Sequence, residues 1–426
     1  MFADCSCSES IYQVPKLNVA VASEHDLYAR LKGFQEHFNS CFFRSESRDK
    51  FFKYLSGQLS LTRRKSIETM AREIEGASIR GLQRFISDSF WEEEEMLHIY
   101  HELVNEDFGH RKGALIFEET GFLKKGKDSA GVARQKYGHA VKLENCQVGV
   151  FCAYASPYGY SLLDKRLYMP EEWFSKDFEK KRRKCNVPDK LCYRSKPEMA
   201  TEMFSWILEK NILPFSYVVL NNSSLNSNNL IHTLTESEQL NCFLAVPDDF
   251  CCWSDGSGSG LKGGQKNSGS RKGGNRAEPQ LVRLDSLASR INPYYWYHFA
   301  ASVGGNRTDV FELARSRVAL DENGIPGRSV WLVIKRKPAE DPGYFYYLCD
   351  ADQNVSLRTL AWLSGLPWAI DQCFTEARSL VGLDHYEVRK FRGWHHHILT
   401  CMLARFFLGH MQIASGIKSR DHYRLE

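Results

Sequence analysis

Three places in the 426-residue sequence set an acid or amide at the end of an apolar run. Residues 113–126, GALIFEETGFLKKG, drive an apolar run into Glu118 and Glu119, then a turn, then Lys124 and Lys125. The strand FSYVVLNN runs into Asn221 and Asn222. The helix WAIDQCFTEAR presents Asp371, with Arg378 seven residues on, roughly two turns along the same face. Acids at the ends of separate elements could hold two divalent ions a few ångströms apart. Such a pair activates water and then a 3′-hydroxyl for in-line attack on phosphate. Magnesium needs few carboxylates beside waters and substrate oxygens, so three side chains suffice. Each position taken singly also reads as a turn former or a surface acid.

The elements that would position these residues follow from hydrophobic periodicity. From 24 to 108 the pattern is helical, in LYARLKGFQEHF, RDKFFKYLSGQL, RKSIETMAREIEG, IRGLQRFISD and WEEEEMLHIYHELVNE. Ser66 is a candidate cap, and Glu92–Glu95 read as a solvated face or as acid loading a first helical turn. ALIFEE, CQVGVFCAYAS and YSLLDKRLYMP read as strands, PEMATEMFSWILEKN as a helix, and FSYVVLNN and NCFLAVPDD as further strands. A basic Gly/Ser segment spans 254–278. WYHFAAS, RSVWLVIKRK and GYFYYLCDA read as strands of an inserted unit, before helices SLRTLAWLSG, WAIDQCFTEARSLVG and WHHHILTCMLARFFLGHM. Strands broken by a helix point to an α/β or α+β core.

Composition limits the partners. With 43% hydrophobic and 25% charged residues the mixture is that of a soluble globular protein, and a net charge of +4 makes any basic surface local. The 13 cysteines show no C-x-x-C spacing and read as reduced thiols, and the start of the chain has no apolar signal segment. The apolar run near the C-terminus is interrupted by Arg405 and is too short to span a bilayer. A cytoplasmic location without membrane attachment is expected.

Lys124, Lys125, Lys127, Arg134 and Lys136 form a basic, glycine-punctuated stretch, either a phosphate contact or a plain surface loop. KKRRK (180–184) reads as a solvated turn or a nucleic-acid contact. His395, His396 and His397 would point about 100° apart on a helix, so together they cannot chelate one metal. The aromatic run Tyr294–Tyr297 reads as core before base stacking, and Gly304-Gly305 starts no dinucleotide fingerprint.

Six blocks carry a family resemblance: GLQRFISDSFW (81–91), LIFEETGFLKKGKDSAGVARQKYG (115–138), ENCQVGVFCAYASPYGYSLLDKRLYMPEEW (144–173), KPEMATEM (196–203), WAIDQCF (368–374) and GLDHYEVRKFRGWHHHI (382–398). On these blocks the sequence resembles the DDE transposases of the insertion-sequence 701 family. The resemblance implies an α/β fold with an RNase H-like catalytic core, a β-rich insertion before its last acidic helix, and a helical N-terminal region that engages DNA. Its implied layout is a tail at 1–23, helical domain at 24–108, core at 109–249, insertion at 250–345, helical end of the core at 346–415 and tail at 416–426. It also implies Mg2+ or Mn2+ as cofactor, DNA at transposon ends as partner, a homodimer, and nucleoid association in a bacterium.

In that comparison Glu118, Asn221 and Asp371 take the three catalytic positions, with Glu118 and Asp371 as metal ligands. Lys124, Lys125, Lys127, Arg134, Lys136 and Arg378 take DNA-contacting ones. All three catalytic positions depart from the family pattern. Glu118 stands where Asp is usual, Asn221 where a second Asp follows the strand, and Asp371 where a Glu lies in a W-x-I-E helix. Ser364 and Pro367 replace a Tyr and an Arg, and Arg378 replaces a later Lys. Two readings follow: an impaired transposase, or a DNA-binding or regulatory descendant without cleavage. Adjacent strand residues face opposite ways, so Glu119 is not expected to substitute for Glu118.

Overall fold

A computed structural model describes residues 9–11, 24–138, 142–221, 240–254, 279–303, 307–337 and 343–414. Asn222, the Gly/Ser stretch 255–278, Gly304-Gly305 and the tail from 416 lie outside the described residues, as does the 1–23 tail apart from 9–11. The chain begins with strand β1 (Glu9–Ile11) and helices α1 (Glu24–Glu36), α2 (Ser45–Leu59), α3 (Ile67–Glu73), α4 (Ile79–Ser87) and α5 (Glu93–Phe108). Strands β2 (Ala114–Leu123), β3 (Ala133–Gln135), β4 (Glu144–Ser156) and β5 (Gly159–Tyr168) follow, then α6 (Glu179–Lys184) and α7 (Lys196–Lys210). Next come β6 (Tyr217–Leu220), β7 (Asn241–Val246), β8 (Cys251–Ser254), β9 (Gln280–Arg283) and α8 (Leu284–Ala288). Strands β10 (Tyr297–Val303), β11 (Arg307–Glu322), β12 (Ile325–Arg336) and β13 (Tyr344–Cys349) lead to α9 (Leu357–Leu363), α10 (Pro367–Val381) and α11 (Phe391–Ala414). The fold is mixed α/β, and its strands pair mostly antiparallel.

These elements form two compact units. The sheet-rich unit comprises Met1–Pro15, Tyr217–Asn226 and Ile231–Pro367. Its strands run in the order β1-β10-β11-β12-β13-β7-β6, with β8 against β11 and β9. Among the described residues, only β1/β10 and β6/β7 pair parallel within it. One face buries Val318, Val330, Leu332, Ile334 and Leu348 against Leu284 and Trp296. On β12 the alternate residue Trp331 faces the other way, between the guanidinium groups of Arg315 and Arg317 at 4.4 and 5.0 Å from its ring centre.

Strand β11 is not evident from the sequence, because FELARSRVAL is made largely of helix formers. Long ladders to β10 on one edge and β12 on the other override that propensity. β1 likewise sits in what reads as a loose tail, and its backbone is engaged by β10.

The helix-rich unit comprises Lys16–Ser216, Ser227–Leu230 and Trp368–Glu426, so α1 to α5 share it with β2 to β5. β4 lies between β2 on one edge and β5 with β3 on the other, all antiparallel. Side-chain caps start several helices: the Ser66 Oγ accepts from the Thr69 N–H at 3.3 Å, and Ser195 with Glu198 forms a capping box on α7.

Helix α11 is the hub. It is apolar nearly all round and buried along most of its length, packing on α2, α4, α5 and β5. Among the described residues, no helix is long and apolar enough to cross a membrane.

Its three consecutive histidines reach three different partners. His395 faces Glu93 at 3.7 Å. His396 Nδ1 lies 2.9 Å from the Ile86 carbonyl, with its ring stacked on Trp91. His397 lies between the Tyr54 hydroxyl at 2.8 Å and the Gly382 carbonyl at 3.1 Å. Burial pushes His396 and His397 down to about 3, against the pull of Glu93 on the first and of carbonyl contacts on the second. Burial also pushes His101 down to about 4.

Within the acidic run, which loads the first turn of α5, Glu94 and Glu95 are exposed as the solvated-face reading expects, whereas Glu93 is half-buried and pairs with the fully buried Lys165. Burial alone would raise its carboxyl, but the Lys165 ammonium and the neighbouring histidines hold it well below the usual range.

The deepest charge on α11 is Arg405. It donates to Glu376 Oε2 on α10 from Nε at 3.1 Å and from a terminal nitrogen at 2.7 Å, and to the Tyr160 carbonyl on β5 at 2.7 Å. The Tyr160 hydroxyl and Gln372 satisfy Glu376 Oε1 at 2.8 and 3.0 Å.

Two outcomes are expected. Glu376→Ala leaves Arg405 buried without its counter-charge and should cost about 3–5 kcal/mol in urea unfolding; a loss under 1 kcal/mol would contradict the pairing. The buried His101, His396 and His397 contribute to acid sensitivity. Their folded values lie below the unfolded value near 6.5, so between about pH 6.5 and 3 only the unfolded chain takes up their protons. Stability should therefore fall as pH drops through that window, by up to about 1.4 kcal/mol per pH unit for each such histidine. His397→Gln should flatten the slope by roughly one proton.

Candidate active site

Glu118 and Glu119 lie in the middle of β2, not at its tip. The ladder to β4 continues through Thr120↔Gly149 and Phe122↔Gln147 to Leu123↔Cys146. Gly121, which reads as a turn former, serves packing instead: a Cβ there would lie 2.5 Å from the Tyr137 ring. The lysines accordingly start after Leu123, several residues beyond the acids.

The pleat sends the two glutamates to opposite faces of the sheet. Glu118 is opposite Phe151 on β4, whose ring meets Phe374 of α10 at 5.1 Å and Trp394 of α11 at 6.3 Å. Thr120, two residues on and on the same face, accepts from Arg378 of α10 at 2.6 Å. Its strand partner Gly149 admits the Trp394 indole, 3.0 Å from where a Cβ would stand. Glu118 thus faces the layer formed by α10 and α11. It is only 4% exposed, and one carboxylate oxygen accepts the backbone N–H of Glu119 at 3.1 Å.

Glu119 points into the other layer. Its Oε2 pairs with Lys196 at the start of α7 at 2.5 Å, and its Oε1 accepts the Gly138 N–H at 2.8 Å. Lys196, which the sequence argument did not single out, is the residue that answers Glu119. Its place inside the KPEMATEM block was the available signal. Glu376 is likewise committed, to Arg405 and Tyr160.

Asp371 is exposed on the first turns of α10. Arg378 lies two turns along and spans α10 and β2, with its guanidinium 5.7 Å from the Phe374 ring centre. Helix α10, which carries Asp371, therefore meets the face of β2 on which Glu118 and Thr120 lie through Arg378. Asn221 directly follows β6 in the sheet-rich unit.

The basic residues after β2 separate into two kinds. Lys125, Lys127, Arg134 and Lys136 are exposed. Lys124 turns inward, 3.5 Å above the Tyr386 ring and 3.4 Å from its carbonyl. Burial lowers its ammonium to about 8, while Asp384 and Glu387 partly oppose the drop. Its ammonium is thus engaged by the fold, unlike those of its neighbours.

The model of the DDE superfamily endonucleases matches residues 37–297, more than half of the chain. The chain belongs to this family. Among curated proteins it is similar to a probable transposase for insertion sequence element IS701 from Microchaete diplosiphon, with 32% identity over 155 residues. That match covers 35% of this chain and 36% of the relative, so the chain spans about a third of the curated relative it matches.

The donor set is a poor one for two dications. Among the described residues, no group of three or more His, Cys, Asp or Glu side chains is arranged to hold a metal ion. The carboxylates nearest in sequence are already engaged, Glu119 by the half-buried Lys196 and Glu376 by the buried Arg405. Lys196→Met should strand Glu119 in the interior and cost about 3 kcal/mol or more. Adding Glu119→Leu should recover most of that loss, because the desolvated charge disappears with its partner. Chemical denaturation of both variants checks this, and a double variant no better than the single would contradict it.

Proposed function

We propose that this protein acts on DNA as a transposase-like member of the DDE superfamily, with an RNase H-like core whose own catalytic set supports phosphodiester cleavage weakly. The observation that carries this reading is the identity of the three site residues. Glu118 is one methylene longer than Asp, Asp371 one shorter than Glu, and Asn221 lacks a charge. Productive geometry tolerates roughly 0.5 Å, so either length change alone can lower the rate by orders of magnitude. The amide removes a full negative charge from a site meant for two dications. Together with the commitments of Glu119 and Glu376, this donor set does not fit a two-metal centre, and we derive no step through Mg2+ or Mn2+.

What remains well equipped is DNA contact. The exposed Lys125, Lys127, Arg134 and Lys136 follow β2, and phosphate neutralisation by such side chains is independent of the catalytic set. The protein then holds DNA, at transposon ends and as a homodimer in the transposase reading, while cutting it slowly. A binding or regulatory role without cleavage is the second reading, favoured by Asn221.

The test compares this protein with a variant carrying Glu118→Asp, Asn221→Asp and Asp371→Glu on supercoiled plasmid with Mg2+ or Mn2+. Nicking is expected from the variant, and little or none from the parent. Parent activity equal to that of the variant would refute impairment.

A further inference from the structure

Two clefts of the helix-rich unit share a wall formed by Tyr386, Glu387 and Arg389. One, of about 690 Å³, is lined by Arg63, Arg64, Lys124 and Lys125 together with Arg389. The other, of about 470 Å³, is lined by Arg80, Gln83, Arg84, Ser87 and Lys390 as well as Arg389. Because Tyr386, Glu387 and Arg389 line both, the two clefts adjoin along one surface channel.

The second cleft is edged by α4. Arg80, Gln83, Arg84 and Ser87 fall at helical spacings of three and four, on one face. Leu82, Phe85 and Ile86 bury the opposite face, where Phe85 packs on Trp91 at 4.7 Å between ring centres. Ser78 caps the helix by accepting the Gly81 N–H at 3.2 Å. The polar row is therefore carried on a rigid element and presented to solvent.

The channel also contains acids, and their pairings show where charge is left over. Asp88 pairs with Lys390, Glu387 with Arg64 at 2.7 Å, and Asp128 with Lys184 at 3.5 Å and Arg389 at 3.7 Å, while Asp384 lies 3.7 Å from His385 and Glu68 lines the second cleft. Arg63, Arg80, Arg84 and Lys125 line the same channel and form no ion pair among the described residues. The Arg64–Glu387 pair is well exposed, and such pairs yield readily to a competing polyanion. Three of these four cations are arginines, Arg63, Arg80 and Arg84. The planar fork of arginine matches phosphate oxygens bidentately, while Gln83 and Ser87 beside it add neutral donors and acceptors suited to sugar and base edges.

We infer that this channel, running from Arg63 past Arg389 to the Arg80–Arg84 face of α4, is a track for a nucleic-acid phosphodiester backbone. It takes in Lys125 of the exposed lysines after β2 and adds Arg63, Arg80, Arg84 and Arg389 to the DNA-contacting surface. It rests on the reading that the protein acts on DNA.

The experiment measures binding of the full-length protein to fluorescent single-stranded and duplex 30-mers across a salt series. The variants are Arg63→Ala/Arg389→Ala, Arg80→Ala/Arg84→Ala and, for comparison, Lys127→Ala/Arg134→Ala. All substituted side chains are exposed, and thermal melting verifies folding. Each channel variant should bind at least about tenfold more weakly. The slope of log affinity on log salt should drop by about 0.9 per lost contact on duplex, or about 0.7 on single strand. The strand type showing the larger loss identifies what the track holds. On the parent protein, bound DNA should also protect Arg63, Arg80, Arg84 and Arg389 from phenylglyoxal, a readout that needs no variant.

Normal binding by both channel variants, without arginine protection in the parent, overturns the track while leaving the DNA reading intact. That conclusion is firmer still if Lys127→Ala/Arg134→Ala alone binds weakly. Absence of salt-dependent binding by the parent to either strand type overturns the DNA reading and the track with it.

Discussion

The helix-rich unit depends on one desolvated charge. Arg405 emerges from the middle of α11, where water cannot reach it, and its guanidinium must be answered on every side. Glu376 supplies the counter-charge from α10, and the Tyr160 carbonyl supplies an acceptor from β5. Burial alone would raise the Glu376 carboxyl, but the guanidinium beside it holds it below the usual range. Because removing either partner strands the other in a low-dielectric interior, the three elements are locked in one arrangement. Helix α10, which carries Asp371 and Arg378, is thereby fixed against the sheet that carries Glu118.

The pleat of β2 adds a second constraint. Two adjacent glutamates cannot serve one site when the strand sends them to opposite layers, and each layer has claimed its own. Thr120 and Arg378 tie the Glu118 face to α10. Lys196 and the Gly138 N–H occupy Glu119 from the other side. The second carboxylate of β2 is therefore held by the fold and not free beside Glu118. The Arg405–Glu376 and Lys196–Glu119 pairs hold the fold through residues other than Glu118, Asn221 and Asp371.

Surface charge follows a different logic. A net charge of +4 says little about partners, yet the folded helix-rich unit gathers arginines from the α2–α3 connection, from α4 and from the segment before α11 along one pair of clefts. No two of these segments are neighbours in sequence except the first two. Only folding makes them a single surface.

Much was legible in the sequence. Periodicity located α1 to α5, α7, α10 and α11, because an amphipathic or wholly apolar helix writes its spacing into the chain. Alternation of strand residues already separated Glu118 from Glu119, and consecutive placement already separated the three histidines, since both follow from local geometry. The blocks around 115–138 and 144–173 carried the family. What the sequence could not decide was settled by partners distant along the chain. β2 continues past Glu119 because β4 offers a ladder as far as Cys146, and β11 is a strand because two neighbours outweigh its helical composition. Glu93 is drawn into a half-buried position because Lys165 is buried beside it, and Lys124 departs from its basic neighbours because the Tyr386 ring lies under its ammonium. Local backbone preference and hydrophobic period are properties of a short window. The partner of a buried charge is a property of the whole fold.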